Sequence, residues 1–247
     1  MKAVPLSDRL ERESRHGHDV LRGDESGWGW STPAGQVRKR RRIDLLTGVV
    51  TGMPNRPRVL EVGCGTGTFT GALSEAFPLL TAIDISDPLL RVARARFPNV
   101  ELLEQDIHHT TFEDGRFDLV VGCSVLHHLD WDLALLEIFR VLKAGGLIRF
   151  SEPNLWNPQI FLQKNWGYLK RRLGDSPDEY AFTRRQILRS LSRAGFVEAL
   201  VEPYEFLHPS TPVRLIPAVE RLEALLQRTP ARGIAGSLRI SARKAPA

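Results

Sequence analysis

The chain has 247 residues, 42% of them hydrophobic and 26% charged, and a formal net charge of +5. That size suffices for one large core or a core with a small appendage. No apolar run approaches the roughly 18 residues that a membrane span needs, so a soluble globular protein is expected. Its two cysteines exclude a disulfide scaffold and, as reduced thiols, suit a cytoplasmic protein.

Met1 to Leu10 lacks the apolar core of a signal peptide, and the polar stretch 1–27 predicts a loosely docked arm. Trp28 and Trp30 interrupt it, either capping a core or reaching a ligand. The spacing of Ile43, Leu46 and Val50 predicts a helix from about Gly35 to Val50. Its Arg38-Lys-Arg-Arg-Arg42 run occupies every side of that helix and reads as a solvated face. Thr51 to Pro57 is a connector.

Val59-Leu60-Glu61-Val62 then reads as a buried strand entering Gly63-Cys64-Gly65-Thr66-Gly67. Glycines so spaced let the backbone come close to a ligand, because they carry no Cβ and accept positive φ. Phe69, Ala72, Leu73, Ala76 and Phe77 form the apolar stripe of a helix that Pro78 stops. A second strand, Leu80 to Ile85, carries Asp84 seventeen positions after Gly67, near the spacing at which an acid meets ribose hydroxyls. Asp87-Pro88 reads as N-cap and first helical residue, and Phe97-Pro98 as that helix's end. A third strand runs from Val100 to Asp106, followed by Ile107, His108 and His109. A fourth, Phe117 to Cys123, enters Ser124-Val125-Leu126-His127-His128-Leu129.

A helix from Asp130 to Lys143 closes at Gly145-Gly146 and is followed by a strand from Gly146 to Pro153. Thr183-Arg-Arg-Gln186 is a capping box opening a helix that ends at Gly195. Two further strands, Phe196 to Val201 and Leu238 to Arg243, flank a helix near Val213 to Gln227. This alternation predicts an α/β fold with a doubly wound, mainly parallel seven-stranded sheet. Residues 1–34 form the arm, and 35–247 a single domain with insertions at about 154–182 and 203–236. The first insertion sets Trp156, Phe161, Trp166 and Tyr168 beside Lys164, Lys170, Arg171 and Arg172, a mixture suited to core packing, acceptor contact or a lipid surface.

As a set, Glu61-Val-Gly-Cys-Gly-Thr-Gly67, Asp84, Asp106, the Phe117-Asp-Leu-Val-Val strand, Leu126-His-His-Leu129 and Leu142-Lys-Ala-Gly-Gly-Leu147 resemble class I S-adenosylmethionine-dependent methyltransferases. The match spans roughly residues 35 to 200. A dinucleotide-binding turn would need its third glycine where Thr68 stands. The resemblance implies S-adenosylmethionine as cofactor and S-adenosylhomocysteine as product. It implies that Gly63, Cys64, Gly65 and Gly67 approach the amino-acid end of the cofactor, with Glu61 ordering the turn or meeting the ammonium. Asp84 would accept the ribose hydroxyls, Ile85 and Ile107 sandwich the adenine, Asp106 accept from its amine, and Cys123 border the pocket. The arm, with Trp28 and Trp30, would fold over that pocket as a lid. The insertions, with Trp156, Phe161, Trp166 and Tyr168, would build an acceptor cap.

A hydroxyl acceptor has to lose a proton, and histidine is the side chain suited to take it near neutral pH. His128 is the candidate base with His127 beside it, one expected inward and the other at the surface because adjacent side chains point apart. His108 and His109 read as adenine-side packing. No metal is expected, since Asp130 is the only carboxylate near the histidine pair in sequence. The Asn/Asp-Pro-Pro-aromatic signature of nucleic-acid base methylation is replaced by Cys123-Ser-Val-Leu126, and the paired glutamates of protein arginine methyltransferases are missing there too. The expected partner is a small-molecule acceptor of the natural-product, quinone-like, or lipid or glycan kind, with peripheral membrane contact as a second possibility. Oxygen, nitrogen and carbon acceptors, and a non-catalytic cofactor-binding role, stay open.

Overall fold

Thr32 accepts the Gly35 amide at 2.9 Å and Pro33 takes the first helical position, so helix α1 (Pro33–Thr47) starts ahead of Gly35. The computed structural model describes residues 29–48, 53–166 and 180–246. The sequence readings on residues 1–28, including Trp28, on Val50, and on Tyr168, Lys170, Arg171 and Arg172 lie outside the described residues.

Strand β1 (Arg58–Val62) leads through the glycine turn to α2 (Thr70–Ala76), then β2 (Leu79–Asp84), α3 (Asp87–Arg96) and β3 (Glu101–Glu104). Ser86 stands at the N-cap of α3, one residue before the position read for Asp87, because the Asp84 carboxylate already fixes the Ser86 amide at 2.9 Å. β4 (Phe117–Cys123) is followed by a 3₁₀ turn, Leu126–His128, and by α4 (Trp131–Val141), which Asp130 caps. β5 (Leu142–Pro153) begins before the Gly145-Gly146 pair, not after it: Phe117 pairs with Leu142 and Leu119 with Leu147, so the intervening residues are a bulge. α5 (Pro158–Asn165) and α6 (Arg184–Arg193) come next, the latter opened by the Thr183–Gln186 capping box. β6 (Phe196–Tyr204), α7 (Ile216–Leu226) and β7 (Ser237–Lys244) complete the series.

The sheet order is β3-β2-β1-β4-β5-β7-β6, with β7 antiparallel to both neighbours and the other pairs parallel. Order reverses between β1 and β4, and in such sheets the crevice beyond the carboxyl ends of those strands receives the ligand. Period-two alternation sorts the side chains. Leu60, Val62, Val120 and Phe150 face α4 and α6, while Val59, Leu119 and Val121 face α1 and α2. Glu61 therefore points to the α2 side of the sheet and Glu152 to the other.

The arginine run does not form a solvated face. Arg42 is 2% exposed; its Nη1 donates to both oxygens of Glu205, at 2.8 and 2.7 Å, and its Nη2 to Ser237 at 3.0 Å. Arg38 reaches Glu205 at 2.9 Å, and Arg41 reaches Glu223 and Glu220 at 2.8 and 3.1 Å. The run thus clasps α1 to the chain leaving β6 and to α7. Glu205 has φ +69, a left-handed backbone held in place by this ion pair. Replacing Glu205 by alanine leaves the Arg42 charge buried without a counter-ion, a change worth about 3–5 kcal/mol. The melting temperature should fall on the order of 10 °C, and a loss nearer 1 °C in scanning calorimetry would mean that water reaches the pair.

Candidate active site

The glycine turn is shaped by what packs around it. Gly63 has φ +69, and a Cβ there would lie 2.4 Å from a Val125 methyl, so only glycine lets the turn close against β4's end. Gly65 has φ +54 and nothing within 4 Å of where its Cβ would be, so its bare face is open to an approaching group. Its amide donates to Asp84 Oδ2 at 2.8 Å, while Asp84 Oδ1 takes the Ser86 amide. Burial pushes the Asp84 carboxyl above its ordinary range, and the amides of Ser86, Gly65 and Ile85 and the nearby His128 ring pull it back. Glu61 is buried and accepts the Thr70 hydroxyl at 2.7 Å; burial, aided by Asp84, lifts its carboxyl to about 7 against that hydrogen bond.

Asp106 lies just past β3. Its Oδ1 accepts the His108 amide at 2.9 Å and lies 2.6 Å from His108 Nδ1, while His108 Nε2 accepts the Asp130 amide at 3.1 Å. A ring that accepts at Nε2 carries its proton on Nδ1, so His108 is a neutral bridge from the β3 end to the start of α4. Ile107 is buried in the main core, and Ile85 stays partly exposed at the end of β2.

Ser124, with φ +56, turns the chain sharply off β4. The turn that follows is gripped by Glu152 from β5, a residue the sequence reading passed over. Its Oε1 accepts the amides of Val125 and Leu126 at 3.0 and 2.9 Å, and its Oε2 accepts from His127 Nδ1 at 2.8 Å. An acid near the carboxyl end of the strand read from Gly146 to Pro153 was the available signal. Glu152 also supersedes Asp130 as the carboxylate grouped with the histidines. His127 is buried and His128 partly exposed, but the two rings do not point apart: a 3₁₀ turn brings their centroids to 4.2 Å, tilted by 37°. Cys123, beside this turn, is no thiolate, since burial pushes its thiol up to about 11. Neither Cys123 nor Cys64 is bridged.

Trp30 sits edge-on to Phe69 at 5.5 Å, with the guanidinium of Arg42 5.1 Å over its ring. It lines a cavity of about 460 Å³ together with Gly67, Thr68, Lys39 and Arg96, on the α1 side of the glycine turn. Trp156, Phe161 and Trp166 are brought instead to the outer surface, each half exposed or more.

The hydroxyls of Thr66, Thr68 and Ser86, all around the glycine turn, have no hydrogen-bond partner within the protein. With the open face of Gly65 and the raised carboxyls of Glu61 and Asp84, they fit a polar ligand that carries positive charge.

Comparison with known proteins agrees. A methyltransferase-domain family model matches residues 60–150. Demethylmenaquinone methyltransferases of Staphylococcus aureus are 31% identical over 188 residues, covering 67% of this chain and 76% of theirs. Among solved structures, a Thermotoga maritima protein described as a possible histamine N-methyltransferase aligns over 96% of this chain and 99% of its own, with TM-score 0.67 and 18% identity. The geranyl diphosphate C-methyltransferase of Streptomyces coelicolor aligns over 85% and 79%, with TM-score 0.61 and 16% identity. The chain belongs to the class I S-adenosylmethionine-dependent methyltransferases. It is an enzyme that transfers methyl groups to a small molecule, and within that class it is similar to the demethylmenaquinone methyltransferases.

The folded chain holds the Glu61 proton to higher pH than the unfolded chain does. That contribution to stability is full below the ordinary carboxylate range and is lost as pH rises to about 7. Urea titrations from pH 4 upward should show wild type losing stability relative to Glu61→Gln over this interval. A difference that does not change with pH would place the Glu61 carboxyl in contact with water.

Proposed function

We propose that this enzyme methylates a hydroxyl of a small, ring-bearing acceptor of the phenol or quinol kind, held over the carboxyl ends of β4 and β5. The observation that carries the reading is the buried Glu152 carboxylate, which fixes the His127–His128 turn beside the cofactor crevice. Such a turn offers a histidine next to the place where a hydroxyl must give up its proton, and His128, partly exposed and near Asp84, is the base in this reading. Glu152 and His127 act as positioning residues, as a carboxylate orients an imidazole elsewhere.

The cofactor supplies a methyl group on a cationic sulfur. The turn Gly63-Cys64-Gly65-Thr66-Gly67 would take its amino-acid end, where the ammonium would favour the ionised form of Glu61. Asp84 accepts from the ribose hydroxyls through the lone pairs its two amide bonds leave over. Asp106 meets the adenine amine, Ile85 and Ile107 border the base, and Cys123 closes the pocket floor. Of the aromatic residues read as acceptor contacts, Trp30 borders the cavity beside the glycine turn, while Trp156, Phe161 and Trp166 lie on the outer surface of the insertion. Proton removal and in-line orientation are then what the protein adds, the second being the larger contribution.

A ring carbon is the second reading. It is favoured by the name of the Staphylococcus aureus relatives, which puts their methyl on a quinone compound. A deprotonated quinol ring offers carbon as well as oxygen to an electrophile, and the same base serves both.

Incubation with methyl-labelled S-adenosylmethionine and a panel of phenols and quinols, read by mass spectrometry and NMR, decides between oxygen and carbon; no labelled product from any of them removes both. Two variants test the residues. Asp84→Ala should lose about 1.5–3 kcal/mol of cofactor affinity by calorimetry, and a change within about twofold would refute the ribose contact. His128→Ala should lower kcat by roughly 10² to 10⁴ with cofactor affinity held; an unchanged kcat would remove the base from His128.

A further inference from the structure

Within the described parts of the two insertions, charge is sorted in a way that neither the core nor the cofactor site requires; Asp175, Asp178 and Glu179 of the first insertion lie outside the described residues. The segment from Asn154 to Trp166 contains no acidic residue, and the segment from Phe206 to Gly236 contains only Glu220 and Glu223. Both of those reach back to Arg41. Beside a partly exposed Glu220, what α7 and the residues just after it turn outward is mainly apolar and basic: Leu222 and Leu225 are 55% and 65% exposed, and the exposed Arg221 and Arg228 flank them with no ion-pair partner among the described residues. The 3₁₀ turn before it, Val213–Leu215, exposes Val213 and Leu215 around an exposed Arg214 that has no ion-pair partner among the described residues.

The first insertion continues this surface. Asn157 donates to the Ile234 carbonyl at 2.9 Å, and the Gln159 amide reaches His208 Nε2 at 2.9 Å, so α5 lies against the second insertion. α5 buries none of its residues and leaves Phe161, Leu162 and the following Trp166 exposed. Both insertions spring from the carboxyl end of the sheet, since β7 enters antiparallel opposite Pro153 and Tyr204.

Exposed leucines interleaved with arginines on one helix, beside indoles at its border, are the pattern of a helix lying in the plane of a bilayer surface. The arginines fit the negative potential of anionic lipid. We propose that the outer face formed by α7, the Val213–Leu215 turn and α5 docks on an anionic membrane surface, with α7 parallel to it. The proposal goes beyond the acceptor reading and does not depend on it. If both hold, the acceptor is one that partitions into lipid.

The test is co-sedimentation of the full chain with vesicles of phosphatidylglycerol and phosphatidylcholine in equal parts, against vesicles of phosphatidylcholine alone. Binding is expected to the first and to be weakened by added salt. Each basic residue at such a surface is worth roughly fivefold in affinity, so the double variant Arg221→Glu/Arg228→Glu should bind at least about tenfold more weakly. Leu222→Asp/Leu225→Asp should do the same, with an unchanged melting temperature showing that each variant is folded. Wild type left in the supernatant, equal binding to neutral vesicles, or variants that sediment like wild type would each overturn the proposal. So would a dimer in light scattering that Leu225→Asp dissociates, because the face would then belong to a second copy of the chain.

Discussion

The turns at the carboxyl end of a parallel sheet expose backbone amides that no neighbouring strand can satisfy, and a buried amide left unpaired is costly. This protein meets that constraint with carboxylates. Asp84 takes the amides of Gly65 and Ser86, Asp106 that of His108, and Glu152 those of Val125 and Leu126. Two of these ties cross between strands, Asp84 from β2 to the β1 turn and Glu152 from β5 to the β4 turn. The crevice at the switch point is thus framed by acids whose first task is to hold backbone. A carboxylate with one lone pair spent on an amide keeps others for a ligand, so structural and binding duties coexist on the same atoms.

The fold was legible because its determinants are local. The glycine turn, the Thr183–Gln186 capping box and Pro78 each depend on residues within a few positions of one another, and each stands where its pattern placed it. The boundaries that moved did so through interactions the pattern does not carry. β5 begins early because Phe117 pairs with Leu142 across a bulge. α3 starts from Ser86 because an acid two residues earlier holds that amide.

The misread arginine run shows the limit more sharply. Arg42 and Glu205 are 163 positions apart, and nothing near Arg42 in sequence distinguishes a buried guanidinium from a solvated one. The Glu152 grip on the histidine turn is likewise a pairing between neighbouring strands, invisible until the strands are aligned. Asp84 and Asp106 could be singled out because an acid at a strand end in this fold has few other uses. The same rule applied to β5 would have found Glu152. The Thermotoga maritima and Streptomyces coelicolor proteins align over most of this chain and share only 18% and 16% of its residues. The fold is common to them, although the acceptors in their names differ.

The reversed direction of β7 has a consequence for those added segments. Because β7 runs against β6, the chain from Tyr204 to Ser237 departs and returns at one pole, a closed excursion whose length sets no strand's register. Such a loop can lengthen, shorten or be exchanged while the sheet beneath it keeps its pairing, much as a fitting is changed on a fixed socket. The clasp from Arg41 and Arg42 to Glu205, Glu220 and Glu223 is the coupling of that fitting. A graft from another methyltransferase would seat only if it brought acids to meet those two arginines.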